Sequence, residues 1–326
     1  MKPTVRIGKY LDFIRKEGFL EFLITIKKNA LFLFQRTFFS REGMLLKKIH
    51  GSWMYLNVYE EGISTALAID GKREVLETEI VKKVLKKGMR VLDIGANIGY
   101  YTLIEASIVT DQGKVYALEP APRNVDMLRK NVSKNKYLNI VEIYPVAVSN
   151  KTGVSKLHLS NMANLHTMIF LGSTKPHGKT GHMTGSSLDV KTVKVDDFLK
   201  GKKPVNLIRM DIEGYECEAI DGMINTLKTS PSLKIMMEVH PNTYGPDRNF
   251  KTRLQKLDKL GYTAKYVVSA GVPQPARFKE MGYTPDKIAK DSTFHRGLYT
   301  DITMRDLIEL TCSLPKCVRA VLLEKK

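Results

Sequence analysis

The stretch V-L-D-I-G-A-N-I-G-Y, Val91 to Tyr100, joins a short apolar run to the start of a helical segment. Arg90–Ile94 reads as a short apolar strand, with Val91, Leu92 and Ile94 its apolar residues. Gly95 lets the chain turn tightly after it, and Gly99 lets the helix over Tyr100–Ser107 begin close to the sheet. Working outward, Lys114–Leu118 reads as a second strand. Asn124–Asn135 follows as a helix with Val125, Leu128 and Val132 aligned, and Val141–Val148 as a third strand. Further on come Val193–Val195, Asn206–Met210 and Lys234–Val239 as strands, and Glu216–Leu227 and Phe250–Leu260 as helices, the last stopped by Gly261. Strands alternating with helices predict an α/β fold, with a mostly parallel sheet and helices on both faces.

The glycine spacing also narrows the ligand. A dinucleotide site requires G-x-G-x-x-G, so that the second glycine admits a pyrophosphate. Here Gly95 is followed by Ala96 and Asn97. S-adenosylmethionine (SAM) has no pyrophosphate and needs no such clearance. Glu119 lies twenty residues after Gly99 at the tip of the second strand, where an acid meets ribose hydroxyls in nucleotide-binding sheets. Asp93, at the first strand's end, is placed to accept hydrogen bonds from the charged amino-acid part of the ligand. Asp93, Gly95, Asn97, Gly99 and Glu119 are therefore the expected SAM site.

Ligands of open α/β sheets bind beyond the C-terminal ends of the strands. The later strands end at Asp211 and Glu213, and at Glu238 and His240. Asp211 is expected to shape the SAM side of the pocket and Glu213 to face an acceptor. The ordinary pKa of an imidazole, near 6.5, suits His240 as a base. Glu238, two residues earlier, projects to the same face and would orient the ring or hold an acceptor hydroxyl. The same residues have a plainer reading: Asp211 and Glu213 as caps of the Glu216–Leu227 helix, and His240 as a strand-end residue. Spacing leaves open a divalent ion among Asp211, Glu213, Glu238 and His240, and no metal ligand is assigned. His166, His177 and His182 fall in a glycine-rich stretch from Leu157 to Ser187, without ligand spacing, and read as solvated loop histidines after a hairpin.

The segments V-L-D-I-G-A-N-I-G-Y-Y, A-L-E-P-A-P, V-K-V-D-D-F-L, M-D-I-E-G-Y-E and M-E-V-H-P occur in this order. Together they resemble the FkbM-type methyltransferases, over roughly Gly62 to Gly261. The most specific element is D-x-E-G-x-E, Asp211 to Glu216; the first motif alone indicates only the wider class I methyltransferase group. The resemblance implies a seven-stranded Rossmann-like sheet, SAM as methyl donor, and O-methylation of hydroxyls on sugars or natural products. A sugar, glycolipid or related small-molecule acceptor is expected on that basis.

The rest of the chain carries no matching motif. Residues 1–50 hold eleven Lys/Arg against four Asp/Glu, and Phe19, Phe22, Leu23, Ile26, Ala30, Leu33 and Phe34 recur at helical spacing. Such a basic amphipathic helix either docks on the protein's own core or lies on an anionic membrane. The expected organisation is this extension, a methyltransferase core over residues 51–265 with a short β lead-in, and a C-terminal extension over 266–326 packed on the core. Across 326 residues there are 52 Lys+Arg against 34 Asp+Glu, a formal charge of +18, which attracts phosphate-bearing partners. That charge motivates a nucleic-acid methyltransferase as the alternative. Against it, D-I-E-G stands after the fourth strand where base-methylating enzymes often carry N-P-P-Y, and no basic–aromatic RNA-binding module is evident. A non-catalytic SAM-binding protein is a third reading, opposed by the intact Asp93, Gly95, Gly99 and Glu119 set. Three scattered cysteines and the absence of a signal or membrane-spanning pattern suggest a cytoplasmic setting, peripheral to the inner membrane face if the helix touches lipid.

Overall fold

In a computed structural model, residues 13–15, 17–38, 42–162, 165–169, 182–291, 294–313 and 317–325 are described. In chain order the elements are α1 (Phe19–Phe38), β1 (Met44–Ile49), β2 (Ser52–Asn57), α2 (Ile63–Asp70), α3 (Val75–Val84), β3 (Arg90–Ile94), α4 (Tyr100–Val109), β4 (Lys114–Leu118), α5 (Pro122–Lys134), β5 (Val141–Tyr144), β6 (Ala147–Val148), β7 (Gly153–Ser160), β8 (Met183–Val193), α6 (Val195–Phe198), β9 (Leu207–Met210), α7 (Glu216–Asp221), α8 (Ile224–Thr229), β10 (Lys234–Glu238), α9 (Phe250–Lys259), β11 (Tyr262–Ser269), α10 (Ala276–Glu280), β12 (Lys287–Asp291), β13 (Phe294–Tyr299), α11 (Met304–Cys312) and β14 (Val318–Lys325).

The main sheet runs β12-β13-β11-β14-β10-β9-β3-β4-β5. Strands β5, β4, β3, β9 and β10 are mutually parallel, while β14 runs antiparallel between β10 and β11. Those seven strands are the Rossmann-like methyltransferase sheet expected from the sequence. Two more, β13 and β12, pair antiparallel outside β11 and widen it to nine, so the sheet is mixed rather than purely parallel. The expected boundary between 265 and 266 falls inside β11, and β14 fills a central position. Residues 266–325 therefore complete the sheet instead of forming an appendage on it. The apolar run Val318–Leu323, with Val318, Ala320, Val321, Leu322 and Leu323 all buried, is what drives β14 into the interior.

Side chains of β3 alternate between the two faces. Val91 joins one apolar core, with Val115, Leu207 and α4. Leu92 and Ile94 join the other, with Leu118, Ile208 and Ile235. Asp93 thus points towards α4. β3 lies between β4 and β9, so connections leave it in opposite directions and a crevice opens above the strand ends.

Three local departures have clear causes. Val141–Val148 is two strands: beyond Pro145 the chain leaves the main sheet, and β6 joins a small sheet ordered β6-β8-β7. The Glu216–Leu227 helix breaks at Gly222, where a Cβ would meet the Ser149 carbonyl oxygen at 2.1 Å. Asp196 caps α8 from outside, its carboxylate accepting from Asn225 N at 3.0 Å and Thr226 N at 2.8 Å. The lead-in is the β1–β2 hairpin followed by helix α2 rather than strands alone. Asn131 of α5 holds the hairpin by accepting from Tyr55 N at 2.7 Å. His177 and residues 170–181 of the glycine-rich stretch lie outside the described residues.

Candidate active site

The β3–α4 turn is shaped by contact, not only by flexibility. Gly95 has φ +80°, and a Cβ there would lie 2.0 Å from the Asp211 carbonyl oxygen. Only glycine lets the ends of β3 and β9 approach so closely. Gly99 has φ +97°, and its Cβ would meet Leu128 of α5 at 2.7 Å. Between them Asn97, at φ +52°, accepts from Ile98 N through its side chain at 2.8 Å and donates its own N–H to Glu119 Oε2 at 2.9 Å. The other Glu119 oxygen accepts from Ala121 N at 3.0 Å and Asn124 Nδ2 at 3.2 Å. Glu119 therefore ties the first turn to the second. Burial pushes its carboxyl up to about 7, against the pull of these hydrogen bonds.

Gly95, Asn97 and Glu119 line a pocket together with Tyr100, Tyr101, Arg209, Asp211, Glu213, Tyr215 and Arg319. Asp93 does not. It has no exposure, accepts from Thr102 Oγ1 at 2.6 Å, and lies 3.5 Å from Arg209 Nη1. The pleat turns Asp93, expected at the ligand's amino-acid end, under the pocket floor rather than into the pocket lining. Arg209 is the group it presents. That guanidinium also pairs with Asp211 Oδ2 at 3.2 Å, donates to the Gly95 carbonyl at 3.4 Å and stacks over Tyr101 at 4.1 Å.

The expected cluster of Asp211, Glu213, Glu238 and His240 is assembled, with an addition. His240 Nδ1 lies 2.7 Å from Glu216 Oε1. Its Nε2 lies 2.9 Å from Glu238 Oε1 and 3.3 Å from Glu213 Oε2, ion-pair contacts aimed squarely at neither, and 4.0 Å from Asp211 Oδ1. Burial would lower the His240 pKa, but Glu213 and Glu216 outweigh it and hold the ring well above the ordinary imidazole range. An imidazolium has no lone pair to receive a proton, and His240 is buried behind the pocket lining. The structure sets His240 behind the pocket lining among carboxylates that hold it towards its charged form, rather than at the pocket surface where a base would act.

The carboxylates around it differ. Burial works to raise Glu216, yet His240 and Tyr244 hold it below the usual range. Burial likewise opposes Arg319 and His240 at Glu238, and the cations win; the Arg319 guanidinium touches the Glu238 carboxylate. Asp211 goes the other way. Burial and then Glu238 push it up to about 7, despite Arg209, and its Oδ1 has no hydrogen-bond partner. Among the described residues, Asp211, Glu213 and His240 form the one group of three that could bring a donor atom each to a metal ion, the atoms lying within 4.8 Å of one another. A cation there would have to displace the proton on His240 Nε2.

Arg209, Glu216 and Arg319 carried no assignment from sequence. Arg209 had a legible signal, a charge inside the four-residue strand L-I-R-M whose members are all buried, and a buried charge needs partners. Glu216 sits inside D-x-E-G-x-E, where its side chain accepts from Gly214 N at 3.0 Å. Arg319 had no signal, since its strand had not been recognised. The capping alternative for Asp211 and Glu213 is not what the structure shows: α7 has no side-chain cap, and Glu213 takes φ +53° to reach His240.

The methyltransferase FkbM domain model matches residues 93–264, more than half of the chain. Hexuronic acid methyltransferase AglP of Haloferax volcanii is 26% identical over 189 residues, covering 56% of this chain and 70% of that protein. A protein-L-isoaspartate O-methyltransferase of Methanothrix thermoacetophila is 38% identical over 56 residues, 17% of this chain, and the match spans only 27% of that enzyme. Among solved structures, methyltransferase FkbM from Methylobacillus flagellatus superposes with a TM-score of 0.33 at 15% identity, over 48% of this chain and 34% of the other. A SAM-dependent O-methyltransferase from Thermotoga maritima gives 0.37 at 13% identity, over 77% and 65% of the two chains.

Proposed function

The chain belongs to the FkbM methyltransferase family, whose methyl donor is S-adenosylmethionine, and on that premise we propose that it O-methylates a hydroxyl on a sugar, glycolipid or related small molecule. The observation that carries the reading is Asp211: a carboxylate that lines the pocket, set against the Gly95 turn, with its pKa raised to about 7. Such a group is half ionised near neutral pH and suits the removal of a hydroxyl proton. Similarity to a hexuronic acid methyltransferase supports a sugar acceptor.

The residues present fit the donor. Glu119 Oε2 accepts one hydrogen bond and keeps capacity for a ribose hydroxyl. Gly95, Ala96 and Asn97 of the turn line the pocket. Arg209, on the pocket floor, is placed for a carboxylate. When bound, SAM supplies a methyl group already activated by its sulfonium charge. Asp211 takes the proton from the acceptor oxygen, Glu213 orients the acceptor, and Arg319 and His240 keep Glu238 ionised behind them.

The test is transfer of labelled methyl from SAM into fractionated extract of the source cells, with Asp211→Asn as control. Label in the glycan or lipid fraction, lost in the variant, is expected. Label in RNA would overturn the acceptor class and make the +18 charge the guide to the substrate.

A further inference from the structure

Helix α1 is docked with its polar side inward. At 3.6 residues per turn, Glu21, Thr25, Phe32, Gln35 and Arg36 share one side, and each is partly or fully buried. Ion pairs hold that side: Lys28 to Asp70 at 2.9 Å, and Lys290 to Glu21 at 3.2 Å and to Glu17, just before the helix, at 2.9 Å. Arg36 stacks over Tyr59 at 4.5 Å. Phe32 alone of the α1 residues is buried. The opposite side carries Leu20, Leu23, Leu31, Phe34 and Phe38, each exposed by 46% or more, with Lys27 projecting among them. A helix covering a core turns its apolar stripe inward; this one does the reverse. A contiguous apolar face of that kind marks an interaction site.

We infer that the outward face of α1 seats the chain on the surface of an anionic lipid bilayer. Charge selects the occupant. Residues 1–50 carry eleven Lys/Arg against four Asp/Glu, and the chain carries +18, so a second copy presents the same positive surface and is repelled, whereas anionic headgroups attract it. Among the described residues no helix is long and apolar enough to cross a membrane, which leaves α1 in the plane of the interface, its apolar residues among the acyl chains and Lys27 at headgroup level. α1 packs on α2, with Lys28 paired to Asp70 at the C-terminal end of that helix.

The experiment is flotation of the full chain with phosphatidylcholine vesicles, with and without phosphatidylglycerol, comparing wild type with Leu23→Ser/Phe34→Ser. Both substitutions fall on exposed positions, so the thermal midpoint stays unchanged. Wild type is expected to float with the phosphatidylglycerol vesicles, and the variant to bind about tenfold or more weakly. Wild type left in the aqueous phase with both vesicles overturns the inference. So does a wild-type dimer in analytical ultracentrifugation that the double variant converts to monomer, since a second copy would then cover the face.

Discussion

His240 Nδ1 stands 2.7 Å from Oε1 of Glu216, although 24 residues separate them. Both are buried, and each shifts the other towards its charged form: the histidine up, the glutamate down. A buried cation among carboxylates is costly to break from one side only, and this pair sets the electrostatics of the strand ends.

Substituting His240 by Gln is expected to lower stability by about 3–5 kcal/mol, because Glu213, Glu216 and Glu238 would lose their shared cation. The sign with pH follows from the raised pKa. The histidine's contribution is complete below its unfolded value, about 6.5, and is lost as pH rises through the higher folded value. Glu216 behaves oppositely, contributing above its unfolded value and losing that as pH falls. Thermal midpoints recorded from acid to alkaline pH should decline on the alkaline side in wild type and lose that decline in His240→Gln. An unchanged alkaline limb would show that the ring is neutral.

For Asp211→Asn we expect methyl transfer to fall by about 10²–10⁴-fold, with SAM affinity kept within about threefold, since the amide retains the shape beside Gly95. In wild type, kcat/KM should rise with pH through about 7, the value to which Asp211 is pushed. A rate that is flat across neutral pH and survives the substitution assigns the proton transfer elsewhere.

Glu119→Ala removes the acceptor of Asn97 N, Ala121 N and Asn124 Nδ2 at once, along with the ribose contact proposed for it. A loss of about 1.5–3 kcal/mol in SAM binding is expected, with the fold retained by circular dichroism. Isothermal titration calorimetry giving wild-type affinity would remove Glu119 from the donor site.

Gly95→Ala places a methyl 2.0 Å from the Asp211 carbonyl oxygen, at a φ that side chains rarely adopt. Backbone strain alone costs of order 1–3 kcal/mol, and the clash pushes the ends of β3 and β9 apart. Both the thermal midpoint and SAM affinity should drop; an effect confined to stability would separate the turn's structural role from its ligand role.

Glu105 is a carboxyl on α4 with no exposure and no hydrogen-bond partner on either oxygen, and burial and then Asp93 hold its pKa well above the usual range. A raised carboxyl weakens the fold as pH climbs above its unfolded value. Glu105→Leu should therefore raise the midpoint, by more at pH 9 than at pH 5.

Much of this protein is legible in one dimension. The stretch Arg90–Ile94, the glycines at 95 and 99 and the acid at 119 determine a strand, a turn and a pocket edge, because strand burial and positive φ are local demands that particular residue types answer. The same holds for the strand ends at Asp211 and His240, which a parallel sheet must bring to one side. What those residues do was decided only by the tertiary structure. The charge of His240 depends on Glu216, Glu213 and Glu238 converging on one ring, and electrostatic energy follows distance in space. Asp93 sank beneath Arg209 because the pleat sends it towards α4. β14 entered the sheet from the far end of the chain, bringing Arg319 to the pocket. The helical period of α1 showed an apolar face, but ion pairs to Asp70 and Lys290, residues far along the sequence, determined that it faces outward.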